Sequence, residues 1–293
     1  MKYGWFILPF LLGNLSWGQM NHPKASPLAK IEQEVGLSKI TIEYSRPSAR
    51  GRTLFGNQPN GEPGLVPNGR IWRVGANEST KITFTSDVSI NGQELKKGTY
   101  ALYAFPEIEK WQIVFHKNTT HWGDGRAKYN EEEDALRINV VPVHKQDFQE
   151  TFLISLDDID HNGASMHLNW GTIQVAIPIA FDTKSIMQEQ IDKNLSAAPN
   201  AQTYYEIARY YQEQGIKSKA ALGFVNKAIE MGGDTYYFHR VRSLVLADLK
   251  SYDAAIKASK ISIRLANKEG KDEFVRLNKN DISRWEALQP TNK

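Results

Sequence analysis

The sequence contains no cysteine. That absence excludes a disulfide framework, a thiolate nucleophile, a cysteine-ligated zinc and an iron–sulfur cluster. It also excludes a lipid anchor on an N-terminal cysteine. A strong field of either sign is missing too: 36 basic and 33 acidic residues leave a formal net charge of +3, too little to imply nucleic acid as a partner. There is no basic arm, and the longest run of like charge is Glu131–Asp134, "EEED". After the N-terminus no second long apolar run follows, so nothing there is expected to span a bilayer.

What is present begins with a leader. Lys2 precedes the apolar "GWFILPFLLGNL", and Ser16-Trp17-Gly18 places small residues at the −3 and −1 positions before Gln19. That order predicts a signal peptide over residues 1–18; an uncleaved anchor is the other reading. An exported chain without disulfides is held by its core alone, and about 275 mature residues (293 less 18) suffice for one. The combination points to a periplasmic or secreted protein of the Gram-negative envelope.

Two architectures follow one another. From 25 to 181 the pattern is that of strands: "KITIEY", "KITFTS", "TYALYAF", "WQIVFH", "LRINVVPV", "ETFLISL", "MHLNW" and "TIQVAIPI", with Asn91-Gly92 as a two-residue hairpin turn. Nine or ten short strands without a helix predict an antiparallel β-sandwich or jelly-roll-like domain. Residues 51–69 are rich in Gly, Pro and Asn and are expected to form a long ordered loop, a place where function is often carried. From 183 to 290 the period becomes helical. "SIMQEQIDKNL" precedes a break at "SAAPN", and "KAALGFVNKAIEM" aligns with "DAAIKASKISIRL" 34 residues later. A 34-residue helical hairpin with paired alanines is the tetratricopeptide pattern, Ala220/Ala221 and Ala254/Ala255 letting the second helix of each pair approach. "RWEAL" is read as the end of a capping helix. Tyr204, Tyr205, Tyr210, Tyr211, Tyr236 and Tyr237 either fill this stack or line a groove for a protein partner.

Four segments, "YSRPSARGRTLFG", "WRVGANESTKITF", "GTYALYAFP" and "HWGDGRAKYNEEEDALRINV", together resemble the bacterial envelope family known as domain of unknown function 2911. The resemblance covers about Ala25 to Pro178. It implies a fold, an envelope compartment and a family in which helical repeats are a common appendage. It also marks Asp134 as similar to an acidic position of the family. It implies no activity, because the family carries none to transfer.

The side chains are therefore read for themselves. Arg46, Arg50, Arg52 and Arg73 each present a fork suited to a carboxylate, sulfate or phosphate. Tyr44, Trp72 and Trp122 offer stacking faces, and Asn77 combines a donor with an acceptor. Such a set suits a small anionic or sugar-like ligand. The alternative is internal: the arginines pair with Asp134, Glu78 or Asp124 and pin the long loop to the sheet. His116, His121 and Asp124, with His144, raise the question of a metal, but the spacing matches no two-histidine helix motif and no third ligand is evident. "DDIDHNG" lacks the order of a calcium loop. No serine sits in a nucleophile elbow, and "GNQPNG" lacks the Gly-Lys-Ser/Thr of a phosphate loop. Neither a metal nor a cofactor is expected. The leading expectation is a non-enzymatic binding or structural module with a helical protein-interaction tail. The second is a hydrolase on an anionic or carbohydrate substrate, using Asp134 or a histidine beside the arginine clamp.

Overall fold

The structure is a computed structural model that describes residues 22–123 and 126–289; the expected signal segment and Asp124 lie outside the described residues. The chain divides into two compact units at Thr183/Lys184.

The first unit contains ten strands: β1 (Leu28–Val35), β2 (Ser38–Ser45), β3 (Thr80–Phe84), β4 (Val88–Ile90), β5 (Gln93–Leu95), β6 (Gly98–Pro106), β7 (Trp111–His116), β8 (Asp134–Val140), β9 (Val143–Asp157) and β10 (Gly163–Ala180). They form a six-stranded sheet, β1-β2-β3-β6-β7-β8, and a four-stranded sheet, β5-β4-β10-β9. Every neighbouring pair is antiparallel. Alternation decides which side chains go inside. Ile40, Ile42, Ile82, Phe84, Ile113 and Phe115 from one sheet meet Ile90, Phe152, Ile154, Met166, Leu168 and Ile177 from the other in a single buried cluster. Asn91 and Gly92, both at positive φ, make the two-residue turn between β4 and β5, as their order in the sequence predicts.

Some strands differ from expectation. β9 and β10 are 15 and 18 residues long, not short. "MHLNW" and "TIQVAIPI" are one strand, not two, because Gly171 at φ +61 absorbs a shift of register without ending it. The left-handed backbone favours glycine here; a Cβ would also lie 2.7 Å from Leu54 Cδ1, whose side-chain tip would have to move aside. β1 carries little apolar character and was not marked by its sequence; it pairs only with β2 at the sheet edge.

The outer face of the six-stranded sheet has a small core of its own. Ala101, Tyr103 and Val114 are fully buried there, with Ile71, Phe105 and Tyr129 packed against them. β7 is consequently buried on both faces over its last four residues, under the chain that connects it to β8. The connection ends in a 3-10 turn, Glu131–Glu133, whose first N–H groups are capped by the Asn130 side chain at Glu132 N.

The second unit holds helices α1 (Thr183–Ser196), α2 (Ala201–Glu213), α3 (Ser218–Glu230), α4 (Tyr236–Asp248), α5 (Tyr252–Lys268) and α6 (Asp272–Leu288). Starts of α3 and α5 are 34 residues apart (252 less 218). Ala221 and Ala255 occupy equivalent, fully buried positions. Ala220 is exposed and takes no part in the close approach expected of it. Tyr205 and Tyr211 are buried, and the other four tyrosines are half-buried. Between α4, α5 and α6 the fully buried Asn278 accepts from Ser259 Oγ (2.9 Å) and Arg240 Nη1 (3.1 Å) and donates to Ser262 Oγ (2.9 Å) and Phe274 O (2.8 Å). A buried amide with all its partners in place fixes one register of the three helices.

Candidate functional site

The first arginine segment leaves β2 and crosses to the second sheet. Half-buried Arg46 donates through Nε to Phe152 O (2.9 Å), and Arg46 N bonds Pro27 O (2.9 Å). Exposed Arg50 donates through its backbone N to Glu150 Oε1 (2.8 Å) and through Nη2 to Ala25 O (3.4 Å). Arg52 folds back on its own turn, with Nε on Ala49 O (2.9 Å) and Nη2 on Ser48 O (2.7 Å). Among the described residues carbonyl oxygens hold these three guanidiniums, and neither Asp134 nor Glu78 does. The Arg46 guanidinium and the Arg50 backbone N–H tie the loop entrance to β9, at Phe152 and Glu150.

The second segment, residues 72–77, lies against the end of β2. Gly75 makes this possible: at φ +146 a Cβ would sit 2.8 Å from Ser45 O. Trp72 exchanges both backbone hydrogen bonds with Ala104 (2.7 and 2.8 Å), and Thr80 N donates to Arg73 O (3.1 Å). Asn77 Nδ2 donates to Ser26 O and Ser45 Oγ, each at 3.1 Å. Arg50, Val74 and Asn77 all adopt positive φ, at 51°, 51° and 61°. Val74 is β-branched and fully buried, so its conformation is held only because the surroundings over-determine it.

The two segments meet around one cavity of about 500 Å³. Arg52, Arg70, Arg73 and Arg126 line it, beside Trp72 and Trp170, and no carboxylate is among its described lining residues. The aromatic wall is deep. Trp72 stacks on Trp170 (5.9 Å between centroids, 15°) and meets Phe55, Trp111 and Phe152 edge-on at 5.7, 6.0 and 5.2 Å. Arg70 and Arg126 were not singled out in the sequence. Arg70 lies in the Gly/Pro/Asn-rich stretch just past the loop, with nothing local to distinguish it from any surface arginine.

The remaining expected residues go elsewhere. Asn77 and Trp122 line a second cavity with Tyr44, Glu78 and Lys81, and Trp122 is 78% exposed. Asp134 is not at the arginine cavity at all. It lies at the start of β8 and accepts from Tyr129 Oη (2.8 and 2.9 Å), His116 Nδ1 (2.9 Å) and Arg137 Nη2 (2.7 Å) and Nε (3.3 Å). Burial, reinforced by Asp134, pushes the Tyr129 phenol far up, so it stays protonated and donates. His116 is fully buried, opposite Asp134 at a shift of strand register. Buried His121 places Nδ1 3.3 Å from Tyr103 Oη. Burial, and after it the neighbouring His116, lower its pKa. Ligand atoms of His116, His121 and Glu133 lie within 4.8 Å of one another. Glu133, and not the expected His144, stands with His121 here, and Asp124 lies outside the described residues. His144 is exposed on β9, in the other sheet, and Glu133 stood inside an acidic run that looked like a solvated turn.

A family model described as a protein of unknown function, DUF2911, matches residues 26–179. No curated protein and no solved structure matches the chain.

Proposed function

Because the chain belongs to the DUF2911 family, whose description assigns no activity, we propose from its own side chains that the β unit is a non-enzymatic receptor for a small anion. One observation carries this reading: four arginines and two tryptophans line a single cavity in which the described lining residues include no carboxylate. A guanidinium offers paired donors to carboxylate, sulfate or phosphate. An indole face suits the flat or apolar side of a sugar or organic acid. The cavity volume is that of a small-molecule site. Arg46 and Arg50 act as pins that hold the loop, Arg52 both pins and lines, and the exposed Arg70 brings a guanidinium to the rim of the cavity.

Calorimetric titration with inorganic phosphate, pyrophosphate, citrate and glucuronate tests this. At least one should bind with an affinity that falls as salt is added. Arg70→Ala, an exposed position, should weaken that binding about tenfold, the loss of one charge-assisted hydrogen bond, with an unchanged melting temperature. Wild-type protein that takes up none of these anions at millimolar concentration would remove the receptor reading.

The unit belongs, in this proposal, to an exported envelope protein, and the 34-residue helical repeat is of the tetratricopeptide kind and serves protein contact. A small groove lined by Tyr205, Arg209, Tyr237, Arg240 and Phe274 supports the last point. Export has a direct check. Protein recovered from the envelope should begin at Gln19 by terminal sequencing; a retained Met1 would count against a cleaved leader.

A further inference from the structure

We infer that His116, His121 and Glu133 form a binding site for a first-row divalent cation of the zinc type, and that Asp134 orients its first ligand. The site lies on the outer face of the six-stranded sheet and shares no lining residue with the arginine cavity.

The first observation is convergence. Two buried imidazoles and one half-buried carboxylate bring ligand atoms within 4.8 Å of one another. His116 Nε2 and Glu133 Oε2 are 3.3 Å apart. Two ligands of a tetrahedral ion at about 2.05 Å are separated by about 3.4 Å, so that pair already has the edge length a zinc ion needs. His121 closes the set by a shift on the order of 1 Å toward the same tetrahedral edge.

The second observation is independent of the first. His116 Nε2 is fully enclosed and has no hydrogen-bond partner; Glu133 approaches it but out of line for one. Buried polar atoms are rarely left so. Its role is fixed from the other side of the ring. Nδ1 faces the Asp134 carboxylate at 2.9 Å, the side on which a ligating imidazole carries its proton, which makes Nε2 the nitrogen that would bind the cation. A carboxylate behind a ligating imidazole is the usual outer shell of a zinc histidine. Asp134 is itself held by Tyr129 and Arg137. Tyr103 Oη plays the same part behind His121.

Donor chemistry narrows the cation. Magnesium and calcium take six or more oxygens, whereas two imidazoles and one carboxylate suit zinc, cobalt, nickel or iron. Three protein ligands leave one position of a tetrahedral ion for water or for an oxygen of a bound molecule.

The test uses the full mature chain, stripped with chelator and titrated with zinc chloride and, separately, cobalt chloride. One equivalent should bind, raise the melting temperature and, for cobalt, give visible d–d absorption. The Glu133 side chain is half-buried, 41% exposed, and Glu133→Gln keeps its shape, so this variant should fold as wild type while binding zinc at least about tenfold more weakly. His121→Gln should abolish the cobalt bands. Asp134→Asn should weaken binding about 10- to 100-fold through the ligand it orients. Arg70→Ala, which alters only the anion cavity, should leave zinc affinity unchanged. Absence of saturable one-to-one binding by wild type, or equal affinity in wild type and Glu133→Gln, would overturn the site. Competition by magnesium or calcium at comparable concentration would overturn the assignment of the cation.

Discussion

Trp72→Ala should lower the melting transition of the β unit by about 10 °C. The Trp72 indole offers a stacking face to a ligand, yet its main role is in the core. It is 6% exposed, touches four other aromatic rings, and donates through Nε1 to Gly75 O at 3.2 Å. Truncating a buried Trp costs about 3–5 kcal/mol, and a unit of this size loses roughly 2–4 °C per kcal/mol. The indole also links the two arginine segments: its backbone pairs with β6, its side chain reaches the second sheet at Trp170, and its N–H fixes the Gly75 turn that places Arg73. Trp122→Ala supplies the contrast. At 78% exposure its removal should stay within about 0.5 kcal/mol. Scanning calorimetry on the two variants separates them; equal shifts would mean that the tryptophan cluster does not hold the sheets together.

Period and turn chemistry made most of the fold legible. "WQIVFH" is a strand over the residues it named, Asn91-Gly92 is the turn its dipeptide dictates, and the change from strands to helices falls where the apolar period changes. What stayed hidden has physical reasons. Gly171 looked like a strand break because glycine usually ends a run; here a left-handed residue is inserted without interrupting pairing. β1 has only a thin apolar stripe, Ala29, Ile31 and Val35, interrupted by Gln33, because an edge strand leans on its backbone pairing more than on its side chains. At the site, the arginine motifs announced a junction but not its composition. Arg52 and Arg73 share a cavity, while Arg46 and Arg50 spend their N–H groups on carbonyls, and carbonyls carry no sequence signal. Asn77 and Trp122 sit at a neighbouring cavity. Glu133 was unreadable: three consecutive glutamates look alike until a 3-10 turn and the Asn130 cap select one to face His116. Both faces of β7 being apolar up to His116 was the one available hint that the loop beyond it covers the sheet.

Asp134→Asn should cost about 3 kcal/mol, read as a drop of about 9 °C in the same transition. The substitution keeps shape and removes charge, which is why it isolates the electrostatic role. The carboxyl group, 10% exposed, accepts from three donors of different kinds: a phenol, an imidazole and a guanidinium. An amide has one acceptor oxygen and one NH2, so at least one of the three would face a donor. Arg137 would keep Gln112 Oε1 at 3.0 Å and Glu131 at 3.3 Å but lose its shortest contact. Breaking such a pair leaves a partly buried cation without its closest counter-charge, and that penalty exceeds whatever the intact pair contributes. His116 is affected differently. Without a carboxylate at Nδ1 its proton is free to occupy either nitrogen, and the lone pair at Nε2 is no longer assured. Tyr129→Phe removes one donor and should cost only about 1 kcal/mol, so the two variants rank the network: a carboxylate at the hub and a phenol at the rim. A melting temperature that falls as far for Tyr129→Phe as for Asp134→Asn would show that the hub lies elsewhere.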